Sequence, residues 1–173
     1  PVGMDIKYSN EKCEIGRNFA NKLWNACRFR RLQGDVTANF KELSAEDIAK
    51  LTSDEKWMLH KLDSVLRSVD SDLKGYRFHT AAHDIYELVW SNFCDWFIEL
   101  AKIRLQKGGE EAATARAVLV YVMSETLKLL HPFMPFITEE IWQTLPHDGE
   151  TIMKAPWPTF NDELVFTEDE AQM

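Results

Sequence analysis

"TSDEKWMLHKLDSVLRSVDSDLKG", residues 52–75, opens with Thr52 three positions before Glu55 and closes on a glycine. The opening pair has the form of a capping box, in which two side chains satisfy free backbone donors at a helix start. Between the ends, Met58, Leu62, Val65, Leu66, Val69 and Leu73 recur at three- and four-residue spacing, which places them on one face of an α-helix. Neighbouring segments repeat the pattern. A first helix is predicted from Ser9 or Asn10 to Gln33, stopping at Gly34. A third covers Thr80 to Lys107, with Ala82, Ile85, Val89, Phe93, Phe97, Leu100 and Ile103 as its core stripe. A fourth occupies residues 110 to 131, between "KGGEE" and "HPFMP", because each proline removes a helical donor and restricts its predecessor. A shorter helix follows in "ITEEIWQTL", a brief one lies in "SAEDIAKL", and "APWP" imposes an extended exit. The fold class is all-α, an antiparallel helix bundle of four to five helices.

At 173 residues the chain has the size of one domain. A chain of this length buries about 70% of its unfolded surface and needs no disulfide or metal to fold. Its hydrophobic content of 45%, with six Trp and ten Phe, supports a packed core and argues against disorder. Cys13, Cys27 and Cys94 are far apart, odd in number and form no C-x-x-C pair. They fit reduced thiols in a cytoplasmic protein and not a zinc site. The longest apolar run, "AVLVYVM" at 117–123, is too short to span a bilayer, so no membrane partner is expected.

The charge is uneven. The chain has 20 Lys plus Arg against 28 Asp plus Glu, a net −8, and the last thirteen residues, "NDELVFTEDEAQM", hold five of the carboxylates. By contrast, "GRNFANKLWNACRFRR" at 16–31 carries five basic side chains and no acidic one. A helix turns about 100° per residue. With Ile15 at 0°, Phe19, Leu23 and Ala26 form a core stripe, while Arg31, Trp24, Arg17, Arg28, Asn21, Asn25 and Asn18 fall on the opposite side. An ordinary solvated face mixes Glu with Lys. Here Arg supplies a planar fork for phosphates or a guanine edge, Asn can match a base edge, and Trp is a platform for an unpaired base. That combination suits single-stranded RNA loops, whose bases are splayed out. The same residues also suit a helix-packing role for Trp24 and ion pairs for the arginines, as in an all-α protein-interaction module. Composition alone does not choose between them.

Three blocks carry a resemblance. "GRNFANKLWNACRF" (16–29) resembles the opening helix of the anticodon-binding domain of valyl-tRNA synthetase. "HPFMPFITEEIWQTLP" (131–146) is similar to the closing segment of that domain in the valine, isoleucine and leucine synthetases, and "CDWFIELAKIRL" (94–105) fits its third helix. The likeness covers most of the chain and is weakest in residues 34 to 52. The valine type rests on the first block; the isoleucine and leucine types are the alternatives. Cys27 stands where the family often has Ala or Ser.

The resemblance implies an α-helical anticodon-binding domain over residues 1–160, followed by an acidic linker at 161–173. It implies that Asn21, Asn25 and Arg28 read base or backbone, with Arg28 or Phe29 as the second match to the family's Asn and Arg. Arg17 and Arg31 would hold phosphates, and Trp24 or Phe29 would stack. The implied partner is the anticodon arm of tRNA(Val), whose anticodon ends in AC because valine codons begin with GU. The ATP-handling HIGH and KMSKS signatures of class I synthetases are missing from these residues. The chain, opening at "PVGMDIKYS", reads as a piece of a longer ligase that carries the catalytic and editing domains upstream. A coiled coil is expected beyond Met173. The parent would be an enzyme using ATP with Mg; this piece would be a non-catalytic monomer without a cofactor, partnered by the catalytic domain of its own polypeptide.

Other constellations have plainer readings. His79 and His83 stand at i,i+4 without a third ligand in view, and read as a polar helix start. Glu139 and Glu140 point about 100° apart and read as first-turn charges. "HPFMPF" reads as a cap on the bundle core. Trp142, Trp157 and "APWP" would pack the exit onto the bundle or a neighbouring domain, and Trp90 and Trp96 would wall the anticodon pocket or join the core.

Overall fold

In the computed structural model, residues 7–37 and 39–172 are described. The opening residues 1–6 and Met173 lie outside them, and with them the reading of "PVGMDI" and of the last residue. The elements are α1 (Asn10–Leu32), α2 (Ala45–Ala49), α3 (Ser53–Lys74), α4 (Phe78–Glu87), a π-helical stretch (Leu88–Phe97), α5 (Ile98–Lys107), α6 (Gly109–Leu130), α7 (Pro135–Trp142) and α8 (Thr167–Gln172). No strand occurs among the described residues. The predicted all-α bundle is the observed architecture. Four long helical runs and the shorter α7 surround one core, because α4, the π stretch and α5 are a single continuous rod.

Local chemistry sets the ends. Ser9 caps α1 by accepting from the Lys12 N–H, and Gly34, at φ 87°, leaves it in the left-handed conformation glycine tolerates. At α3 the Glu55 carboxylate accepts the Thr52 N–H at 3.1 Å, as the capping-box spacing requires. Its far end differs from expectation. The left-handed residue is Tyr76 (φ 57°), and Gly75 is not. The Arg77 N–H closes that turn on the Asp72 carbonyl at 2.8 Å.

α6 occupies the centre and touches α1, α3, α4, α5 and α7. It is apolar almost all round, with Ala115, Val118, Leu119, Val122, Met123 and Leu127 buried, as a helix enclosed by others must be. Of the stripe predicted for the third helix, Ile85, Val89, Phe93 and Phe97 are buried. Beyond Phe97 the buried positions are Ile98, Ala101 and Arg104, while Ile103 is 61% exposed. The π stretch explains the slip. Its wider turn takes up an extra residue and rotates everything downstream.

Buried charge ties the rods together. Arg104 of α5 meets Glu55 at 2.6 Å and Asp54 at 2.8 Å, joining the α5 side to the start of α3. Asp63 of α3 accepts from Arg67 at 2.7 Å and from the Asn161 N–H at 2.7 Å, and Phe166 N–H donates to His60 Nδ1 at 3.0 Å. The acidic segment expected as a linker from 161 is therefore held along α3, and α8 continues against the same helix. Exit residues Ile152, Ala155 and Pro158 turn toward the bundle, whereas Trp157 stays partly exposed.

"HPFMPF" divides. Met134 packs against the core, but Phe136 is 91% exposed and Phe133 is partly so. α7 turns Thr138, Ile141 and Trp142 inward, and Phe136 lies about 200° around the helix from Thr138. Glu139 sits in the second turn of α7. It accepts from Thr151 Oγ1 at 2.6 Å, Gln143 Nε2 at 2.6 Å and the Ile152 N–H at 3.2 Å. Its role is to fasten the following loop. Those hydrogen bonds, the one from Thr151 first, hold its carboxyl below the usual carboxylate range.

Candidate RNA interface

α1 lies against the π stretch, α6 and α7 through Phe19, Leu23, Ala26 and Cys27. Ile15, expected in this stripe, is exposed because every residue from Asn10 to Asn18 is exposed. The helix reaches the bundle only from Phe19 onward.

The five basic residues of 16–31 have different fates. Lys22 turns inward, its ammonium 3.8 Å from the Trp90 ring centroid and 2.5 Å from Asp95. Arg30 is buried, and desolvation lowers its pKa from the ordinary arginine value. Arg17 forms an exposed pair with Glu14 at 3.5 Å. Arg28 and Arg31 are exposed and make no ion pair among the described residues. Beside them stand Asn21 and Asn25, both exposed, and Trp24, 46% exposed.

Trp24, Arg28 and Arg31, with Cys27, Leu32 and Thr144, line a cleft of about 370 Å³ between the second half of α1 and the end of α7. Of the residues singled out in the sequence, the structure gathers these three around one hollow. Asn21 and Asn25 share the exposed side of α1, and Arg17 lies further toward its free end. Phe29 is apart. It packs against the core with the Lys102 ammonium 5.4 Å from its ring. Trp90 is half-buried in a stack with Phe19 and Tyr86, at centroid distances of 6.5 and 5.6 Å, and Trp96 is exposed.

Thr144 and Leu32 were not singled out in the sequence. Thr144 is brought to the cleft by the turn after α7, where its hydroxyl donates to the Ile141 carbonyl at 2.7 Å and lies 3.5 Å from Cys27 Sγ. Nothing in a linear reading joins positions 117 residues apart. His79 and His83 are both exposed, and no cluster of three or more potential metal ligands occurs among the described residues. No helix among these residues is long and apolar enough to cross a membrane.

Residues 55–173 match the family of the anticodon-binding domain of tRNA ligase. The chain belongs to that family. The domain's α1 precedes the matched span, but full-length likenesses include it. The valine–tRNA ligase of Bacillus cereus is 45% identical over 177 residues, covering 99% of this chain and 19% of that protein. That of Geobacillus kaustophilus is 46% identical over 165 residues, covering 94% of this chain and 18% of that protein. The domain thus spans about a fifth of the length of the curated relatives it matches. Among solved structures, the ternary complex of Agrobacterium radiobacter K84 LeuRS with tRNA and LeuAMS shares the fold. Its TM-score is 0.60 at 19% identity, over 93% of this chain and 18% of that one.

Proposed function

We propose that this domain reads the anticodon arm of tRNA(Val) within a valine–tRNA ligase. The carrying observation is the cleft at which Trp24, Arg28 and Arg31 meet, with two arginines that no carboxylate among the described residues neutralises. The likeness to valine–tRNA ligases supports the choice of amino acid. Arg28, Asn25 and Asn21 contact base edges or backbone, Arg31 and Arg17 hold phosphates, and Trp24 stacks on a base; Phe29, set toward the core, is the weaker candidate for stacking. Reading the terminal AC of the anticodon helps discriminate tRNAs and positions the acceptor end at a distant catalytic domain of the same polypeptide, where ATP with Mg activates valine. The domain proper runs over residues 1–160, and the acidic segment 161–173, after its contacts with α3, leads onward. The protein works as a cytoplasmic monomer.

Fluorescence titration with a tRNA(Val) anticodon stem-loop tests this reading through Arg28→Gln. The expected loss is about 1–3 kcal/mol, roughly 5- to 150-fold in affinity. If Arg28 holds a phosphate, the variant also flattens the salt dependence. Lys107→Gln, at the far end of α5 and paired with Glu111, is the control and leaves binding unchanged. Equal binding by the Arg28 variant at all salt concentrations would refute the assignment.

A further inference from the structure

The last turn of α1 gathers positive charge that the fold leaves uncompensated. Arg30, in that turn, is only 8% exposed. Its guanidinium makes no hydrogen bond and no ion pair among the described residues, yet none of its nitrogens is enclosed. Arg116 approaches from α6. Its Nη1 donates to the Gln33 carbonyl at 3.4 Å, and its Nε is buried with no partner. Arg31 completes the group and also lines the cleft with Trp24 and Arg28. The three charges feel one another. Desolvation is the first cause of the lowered Arg30 pKa; Cys27 and Asp35 act against it, and the charges of Arg31 and Arg116 act with it.

Plainer roles do not balance this group. The carbonyls that end α1 favour cations in its last turn, but a helix end carries only about half an elementary charge. Asp35 adds one carboxylate and forms no ion pair with any of the three among the described residues. Three guanidiniums therefore outweigh the negative charge around them. Buried charges are normally paired, and an unpaired guanidinium that solvent still reaches marks a place where an anion is supplied from outside. The guanidinium fork presents parallel N–H donors that match the oxygens of a phosphate. Arg31 belongs both to this group and to the cleft, so it ties the anion to what lies in the cleft. We infer that Arg30, Arg31 and Arg116 together hold one backbone phosphate of the RNA bound at the cleft. The inference rests on the RNA-binding reading and deepens it. Arg31 does not hold its phosphate alone but shares it with a buried neighbour and with an arginine of α6.

The test compares the 173-residue protein with its Arg30→Met variant. Each is titrated with the tRNA(Val) anticodon stem-loop over a range of salt concentrations. Each is also unfolded by urea in sodium phosphate and in sodium chloride of equal ionic strength. Arg30→Met keeps an apolar stem and removes the uncompensated charge. It is expected to bind the stem-loop about tenfold or more weakly, with a log–log salt slope shallower by about 0.7–0.9, while its urea midpoint in chloride rises. Phosphate is expected to raise the midpoint of the parent by more than that of the variant. That difference separates occupancy of the site from the stabilisation phosphate gives to folded proteins generally. Arg116→Gln retains a donor for the Gln33 carbonyl but loses the charge. It is expected to show the same weaker binding and shallower slope, which keeps the test decisive if Arg30→Met fails to fold. A lowered midpoint of Arg30→Met with stem-loop affinity intact overturns the inference and makes Arg30 a structural residue. Phosphate-dependent stabilisation without any change in stem-loop binding overturns it too, leaving a site for free anions only. Stem-loop binding that depends on Arg28 but on neither Arg30 nor Arg116 removes this inference and leaves the RNA reading standing. Failure of the stem-loop to bind at all removes both.

Discussion

The side chains of α1 divide by what lies beneath them. Lys22 and Arg30 turn inward, one onto the Trp90 ring and Asp95, the other into a buried position that penalises its charge. Arg28 and Arg31 keep solvent and the cleft. The helical wheel already separates them: Arg17, Arg28 and Arg31 fall opposite the core stripe of α1, while Lys22 and Arg30 fall beside it. The same packing governs the thiols. Cys94, on the π stretch beside Lys22, is desolvated and pushed up to about 12, while Cys13 stands exposed on the free end of α1. Iodoacetamide at neutral pH is therefore expected to modify Cys13 first and to leave Cys94 largely unreacted in the folded protein, since the thiolate is the reacting species. Peptide mass mapping over time checks this, and equal rates at the two sites would mean that α1 does not cover the π stretch.

At the scale of the element, the junction of α7 with the loop behind it has a pH signature. Glu139 is held below the ordinary carboxylate range by its hydrogen bonds, so its contribution is complete only well above the ordinary glutamate value of about 4.3 and is lost as pH falls through the lower folded value. Amide exchange of Ile152, whose N–H donates to Glu139, is expected to lose protection on acidification, whereas in Glu139→Gln the protection is reduced at every pH and changes little. The elements also mark where the sequence stopped being legible. Thr52, Glu55 and Ser9 announced their helix starts because caps are local chemistry. Ile103 was misplaced because a π turn leaves no compositional trace, and Phe136 because a proline-rich stretch signals a helix boundary without saying which of its apolar residues turns inward. The basic side of α1 was readable from one segment; Thr144 was not, since tertiary packing alone brings it to the cleft.

For the whole molecule, the rigidity of the α1 platform depends on a core whose rods are cross-braced at Arg104. This guanidinium is 8% exposed and faces Glu55, which is 1% exposed. Arg104→Met leaves that carboxylate buried without its partner and is expected to cost about 3–5 kcal/mol in urea denaturation. The Arg104→Met, Glu55→Met pair is expected to recover part of the loss, because an apolar replacement of both partners removes the stranded charge. A negligible effect of the single variant would mean that water reaches this junction. A destabilised domain that retains stem-loop binding below its transition would separate the brace from the reading face.

On the proposed reading, the exposed side of α1 reads bases and does more than attract a polyanion. One comparison addresses it directly: fluorescence titration of the protein, at low salt, with a tRNA(Val) anticodon stem-loop and with a second stem-loop in which the AC of the anticodon is changed. The expected result is binding weakened by about 5- to 150-fold for each altered base contact. Equal, measurable affinity for the two loops would contradict it, reducing the Arg28 and Arg31 face to an electrostatic dock.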